Sequence, residues 1–176
     1  MKITKITQQV KSRGRYSIFV DEKFAFGMSE LGVINSGIRA GQELTEDDIE
    51  KLRGEAKLDK IYGRLLDLIM RRPRSRWEIE DYLRRKGHEP DSTEALIAKL
   101  SSKGFINDED FARRWVESRR LLKSISKLKL ITELKQKRIS DDIIRAVLEA
   151  DHSDEVDIIR TEIAKKRRQP RYADNQ

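Results

Sequence analysis

A helix-start signal recurs along the second half of this chain, and each time the same spacing of apolar residues follows it. Ser75 is followed by Ile79 and Leu83, and Ser126 by Leu130, Ile131 and Leu134. A start near Asp91 leads to Leu96, Ile97 and Leu100, just as Ser140-Asp141-Asp142 leads to Ile143, Ile144 and Val147. A three-helix unit returning at roughly fifty residues is the simplest description, the pattern of a small helical array. Units this small bury their apolar faces largely on their neighbours, so the expected object is elongated rather than one compact globule. The composition agrees: 37% of residues are hydrophobic and 39% charged, with three prolines and nine glycines.

Local signals punctuate the helices. Thr45-Glu46-Asp47-Asp48 reads as a capped start with carboxylates beside the positive helix end. Leu58, Tyr62, Leu65 and Ile69 then form an apolar stripe, and Pro73 ends that helix. Ser75-Arg76-Trp77-Glu78 has the pattern of a capping box, with Ile79, Tyr82 and Leu83 on the buried face. Gly87 and Gly104 sit where left-handed residues close helices. Asn107-Asp108 caps a helix carrying Phe111, Ala112, Trp115 and Val116. Ser153-Asp154-Glu155 opens another with Val156, Ile159 and Ile163, before Pro170 and a polar tail.

The beginning of the chain follows a different period. Tyr16, Ile18 and Val20 alternate, as do Phe24, Phe26 and Met28 beyond an Asp21-Glu22-Lys23 connection, which predicts a β-hairpin. Ile6 to Val10 is a candidate third strand. So small a sheet needs helices to dock on. The expected layout is a β-rich extension over 1–50, three-helix units over 51–104 and 105–150, and the start of a third unit with the tail over 151–176.

Catalysis finds little support. The histidines are His88 and His152, each near a predicted helix boundary and too far apart for a metal-binding helix face. Asp47-Asp48, Asp108-Glu109-Asp110 and Asp141-Asp142 all fall in predicted first turns, where negative charge is favourable for structural reasons. Neither a phosphate-binding GxxxxGK[ST] loop nor a Gly-x-Ser-x-Gly elbow occurs. Cysteine is absent, which removes disulfides and thiolate-bound metals. A non-enzyme without metal or cofactor is expected. No apolar run approaches the length of about eighteen residues that spans a membrane, and the N-terminus lacks a signal-type apolar core, so a cytoplasmic protein is expected.

Charge is the better lead. The net charge is +7 and the pI about 9.6 despite 31 acidic residues, which favours polyanions or acidic protein surfaces. Arg71, Arg72, Arg74 and Arg76 crowd a helix junction; Arg84, Arg85 and Lys86 close the next helix. Arg113, Arg114, Arg119 and Arg120 share the Trp115 helix, and Lys165 to Arg168 close the last one. Cations at helix C-termini also complement the dipole, which accounts for Arg84 to Lys86 and Lys165 to Arg168. It does not account for Arg71 to Arg76, which surrounds a helix break and is a candidate surface for phosphates or carboxylates. Trp115 falls on the Phe111 stripe and reads as core, whereas Trp77 has two readings, sealing a joint between units or standing as a contact anchor.

Arg72-Pro73-Arg74-Ser75, with Glu78, Tyr82-Leu83 and Arg85-Lys86-Gly87 after it, resembles the opening signature of the RecX family. Gly104-Phe105-Ile106-Asn107-Asp108-Glu109, with Phe111-Ala112, Trp115-Val116 and Arg119, is similar to its second motif. Gly14-Arg15-Tyr16 and Gly41-Gln42-Glu43-Leu44 are similar to N-terminal extensions in that family. The resemblance implies tandem three-helix units in an elongated, curved array. It further implies binding to the RecA filament on single-stranded DNA and inhibition of filament growth, ATP hydrolysis and strand exchange without chemistry of its own; a monomer is expected. Weak direct DNA binding is a possible addition. Members commonly carry three units, where this chain shows two and the start of a third. The alternative, from charge alone, is a basic helical nucleic-acid-binding protein with no specificity for RecA.

Overall fold

The computed structural model describes residues 1–122, 125–153 and 155–168; the Asp154 cap and Pro170 with its tail lie outside them, as do the side chains of Asp91 and Lys165. The chain forms two compact units, Met1–Arg72 and Pro73–Gln176.

The first unit is a three-stranded antiparallel sheet in the order β1 (Ile3–Gln8), β2 (Arg15–Val20), β3 (Lys23–Ser29), with helices α1 (Glu30–Ser36) and α2 (Glu46–Arg71). The expected hairpin joins β2 to β3 through Asp21 and Glu22, whose φ values of 46° and 67° are the left-handed pair of a tight two-residue turn. Those angles are unfavourable for both residues, and local bonds compensate: the Asp21 carboxylate accepts from the Lys2 N–H (2.9 Å), and the Glu22 N–H donates to Thr4 (3.1 Å). The third strand is offset from its expected place. It starts at Ile3, which is fully buried, and stops at Gln8, while Val10 lies in the following turn and is 99% exposed.

Strict alternation also misplaces Phe24. A bulge lets Ile18 face Phe26 while Phe19 faces Phe24, so Phe24 turns outward and meets Phe19 edge-on at 6.0 Å. Ile3, Ile18, Val20, Phe26 and Met28 make the covered face, against which Ile49, Leu52 and Ala56 of α2 pack. A polar tie fixes the approach of α2. Asp59 accepts from the Ser29 N–H (2.8 Å) and hydroxyl (2.5 Å) and pairs with Arg15 (3.2 Å), which also donates to the Gly27 carbonyl (2.9 Å).

Helix α1 was not foreseen in the β-rich reading. It has no fully buried side chain, carries Gly32 inside it, and is held by its ends: Ser29 caps the Gly32 N–H, and Gly37 closes it at φ 64°. Helix α2 begins with the expected Thr45–Asp48 capping box and ends as Arg72 goes extended (φ −162°, ψ 153°) ahead of Pro73. Its buried residues differ from the expected stripe: Ile49, Leu52 and Ala56 lie on one side, Ile61 and Leu65 on the other. Ala56 and Leu65 are separated by about two and a half turns, hence half a revolution. Leu58 falls where the buried line changes sides and remains 37% exposed.

In the second unit the helices are α3 (Arg76–Arg85), α4 (Pro90–Ser102), α5 (Asp108–Leu122), α6 (Lys127–Gln136), α7 (Asp141–Glu149) and α8 (Glu155–Arg167). The chain is mainly α with a small N-terminal sheet, as expected. Helix α4 starts one residue before Asp91, with Pro90 in the first position where its missing N–H costs nothing. The Asn107 side chain caps α5 by accepting from the Asp110 N–H at 3.0 Å. Phe111, Ala112, Val116, Leu130, Leu134, Ile144 and Leu148 form the core of α5, α6 and α7. On α8, Val156, Ile159 and Ile163 are 56%, 47% and 46% exposed.

Candidate polyanion-binding surface

The cationic positions separate by what holds them. Arg120 is structural. Only 10% exposed, it donates to the Asp151 carboxylate (2.9 and 2.6 Å) and to the Ile125 carbonyl, tying the end of α5 to the residues after α7. Burial pushes the Asp151 carboxyl up, but bonds from Ser153 and Arg120 outweigh that and hold it below its ordinary value. Arg119 lies over the Trp115 ring at 4.6 Å and shares Glu133 with the indole N–H (2.8 and 2.9 Å). Trp115 in turn stacks on Phe111 at 5.6 Å and is half-buried against the core rather than inside it.

Arg76 is also committed. Its guanidinium reaches Glu80 (2.7 Å) and both oxygens of Glu94 (3.0 and 2.9 Å), and its backbone N–H donates to Asp108 (2.7 Å). Burial raises the Asp108 carboxyl despite that bond. The rest of the Arg71 to Arg76 run is divided: Arg71 ends α2 and is exposed, Arg72 is exposed on the extended link, and Arg74 is half-buried.

Two arginine pairs share one design. Arg84 and Arg85 stand three and four residues after Asp81 and both bond it (2.5 and 2.9 Å). Arg113 and Arg114 stand likewise after Asp110 and both bond it, Arg114 at 2.7 Å. One carboxylate cannot neutralise two guanidiniums, so Arg84 and Arg85 leave a positive excess, whereas Glu109 and Glu117 add their charge to that of Asp110 around Arg113. The four side chains are 60–74% exposed, as a polyanion contact requires. Hydrogen bonding to Arg113 holds the Asp110 carboxyl below its ordinary value. Lys86 lies 6.0 Å from the Tyr82 ring centre.

A further set, Trp77 apart, was not singled out from the sequence. An open groove of about 540 Å³ is lined by Trp77 of α3 and by Thr132, Lys135, Gln136 and Arg138 on and just after α6. Its walls are joined by Ser75, whose hydroxyl donates to the Lys137 carbonyl (3.0 Å), and by Lys137, whose ammonium pairs with Glu78 (2.9 Å). The signal was present: Lys127, Lys129, Lys135, Lys137 and Arg138 are opposed only by Glu133 along this stretch. Among the described residues no group of three or more His, Cys, Asp or Glu side chains gathers as a metal site, and no helix is long and apolar enough to cross a membrane.

Comparison with known proteins places these elements. Residues 1–45 match the regulatory protein RecX N-terminal domain, 62–100 the first three-helix domain of RecX, and 107–148 the second. The regulatory protein RecX of Listeria monocytogenes (serovar 1/2a) is 33% identical over 158 residues, covering 90% of this chain and 58% of that protein. That of Bacillus subtilis (strain 168) is 32% identical over 146 residues, covering 83% and 55%. The chain therefore spans somewhat over half the length of the curated relatives it matches. A crystal structure of regulatory protein RecX superposes with a TM-score of 0.73 at 28% identity, covering 85% of this chain and 73% of the other. RecX from Lactobacillus salivarius gives 0.58 at 26%, covering 68% and 77%. With three RecX domains matched in order, and with relatives and solved structures of the same name along most of its length, this chain belongs to the RecX family of regulatory proteins.

Proposed function

We propose that this protein is a cytoplasmic, monomeric negative regulator of RecA. It binds the RecA filament on single-stranded DNA and inhibits filament growth, ATP hydrolysis and strand exchange, with no catalysis of its own. The observation that carries the reading is the ordered match to three RecX domains. The exposed pairs Arg84–Arg85, under-neutralised by Asp81 alone, and Arg113–Arg114 supply suitable contacts. Guanidiniums pair with carboxylates and with phosphates alike, so these groups suit either component of a nucleoprotein filament. Several weak contacts to neighbouring subunits combine through high effective concentration. Preference for one filament state then resists the changes that accompany turnover.

A second reading, a general nucleic-acid-binding protein without RecA specificity, draws support from the tryptophan-containing cationic groove. RecA ATP hydrolysis on single-stranded DNA, titrated with this protein beside binding to naked DNA, separates the two. Inhibition well below the concentration that coats bare DNA is the expected result. Inhibition only at DNA-saturating concentrations would instead assign the effect to competition for the strand.

A further inference from the structure

Three helices in the second unit end in the same way. The residue after the cap is left-handed, and the next N–H returns to a carbonyl in the last turn: His88 to Leu83 (3.2 Å), Phe105 to Leu100 (2.9 Å), and Ile139 to Leu134 (3.2 Å). The left-handed residue is Gly87 (φ 70°) after α3 and Gly104 (φ 73°) after α4, but Arg138 (φ 58°) after α6. Glycine takes this conformation freely, whereas a residue with a Cβ is strained in it. A strained residue kept where glycine would serve is grounds for seeking a function in its side chain. Among the described residues the Arg138 guanidinium has no hydrogen bond or ion pair, unlike Arg76, Arg119 and Arg120. It lines the groove together with Trp77.

The other wall components fit one kind of occupant. Both tryptophans are half-buried, but Phe111, Arg119 and Lys137 lie against the Trp115 ring and its indole N–H is bonded, whereas Trp77 has the groove before it. Lys135 is held only by an exposed partner, Asp141 (2.9 Å; 55% and 70% exposed), an arrangement that exchanges readily for another anion. The Thr132 hydroxyl donates to the Leu128 carbonyl, which leaves its oxygen as an acceptor toward the groove. An indole face beside two cations, with an amide and an acceptor at hand, matches a nucleobase joined to phosphate. An acidic peptide anchored by an apolar side chain calls for an enclosed pocket; a flat base calls only for an open face, which is what this groove provides.

We propose that the groove between α3 and α6 binds a nucleotide of single-stranded nucleic acid, with the base stacked on Trp77 and the adjoining phosphate held by Arg138 and Lys135. The proposal deepens the function above by resting on its single-stranded-DNA component, and it does not depend on RecA.

The test uses the full chain and oligo(dT), with tryptophan emission and anisotropy as readouts, and the variants Trp77→Leu and Arg138→Gly. Leucine is chosen because Leu128 occupies the matching position of α6. The wild type is expected to bind with quenched emission. Trp77→Leu should lose the quenching and bind about tenfold more weakly. Arg138→Gly should bind more weakly and reduce the slope of log affinity against log salt by about 0.7, one single-strand phosphate contact. Its melting temperature should hold or rise, so that weaker binding is not misread as unfolding. Persistent quenching in Trp77→Leu, or wild-type affinity and slope in Arg138→Gly, would overturn the proposal. So would absence of oligo(dT) binding by the wild type; with loss of RecA-filament inhibition in Arg138→Gly beside it, the groove would be assigned to an acidic protein segment. Oligo(dT) binding through the groove with no effect on RecA would sink the RecA reading alone.

Discussion

Arg120 and Arg114 are both arginines of α5, yet their surroundings give them opposite parts. Arg114 is 60% exposed beside a carboxylate four residues away, while Arg120 is 10% exposed against Asp151. Replacing Arg120 by alanine leaves the Asp151 carboxylate, 10% exposed, with its Ser153 bonds alone, and is expected to cost about 2–3 kcal/mol, measured by urea unfolding. The contribution has a pH signature. Because the folded Asp151 value is depressed, its stabilisation is complete above the ordinary aspartate value of 3.8 and is lost as pH falls through the lower folded value. Unfolding followed across that acid range should show a stability loss in the wild type that Asp151→Asn lacks. Phe111, 4% exposed under Trp115, should cost about 3–5 kcal/mol as alanine. Its burial was legible from helical spacing, since Phe111, Val116 and their neighbours repeat within one element. Arg120's was not, because its partner is 31 residues away and no local pattern links them.

Between elements, a single cap can carry more than its own helix. Ser75 accepts from the Glu78 N–H (3.3 Å) and donates to the Lys137 carbonyl (3.0 Å), while Glu78 holds Lys137. The capping box of α3 is therefore also the clamp onto the end of α6. Ser140 begins α7 without any side-chain cap bond. Ser75→Ala should thus cost roughly 2 kcal/mol, a lost cap plus an unsatisfied part-buried carbonyl, and Ser140→Ala only a few tenths. Comparable losses in both variants by thermal unfolding would mean that the clamp contributes nothing. The box itself was readable as Ser-x-x-Glu, but its second duty was not, since the repeat supplies Lys137 from 59 residues away. Helix α1 escaped notice for the complementary reason: it is short, contains a glycine and has no fully buried side chain, Val33 being half-buried against the core, so it has caps without periodicity.

For the whole molecule, the repeat and the change of period near Thr45 carried most of the architecture. Surface charge needed coordinates, because the sequence counts arginines without saying which carboxylates they have already claimed. Arg76, Arg119 and Arg120 each hold a carboxylate not shared with another arginine of their own helix turn, whereas Arg84 and Arg85 share Asp81, and Arg113 and Arg114 share Asp110 with Glu109 and Glu117 also near Arg113. A filament contact that draws on excess charge should be sensitive to the second group and to salt together. At about 0.5 kcal/mol for each exposed contact, changing all four to glutamine should weaken filament binding by roughly 30-fold. Helicity and melting temperature should stay near the wild-type values, since exposed pairs of this kind contribute little to folding. Affinity for RecA-coated single-stranded DNA, measured at several salt concentrations, provides the check. A quadruple variant with wild-type affinity and salt slope would move the contact off these arginines and leave the exposed Arg71, Lys86 and the Trp77 groove as cationic candidates.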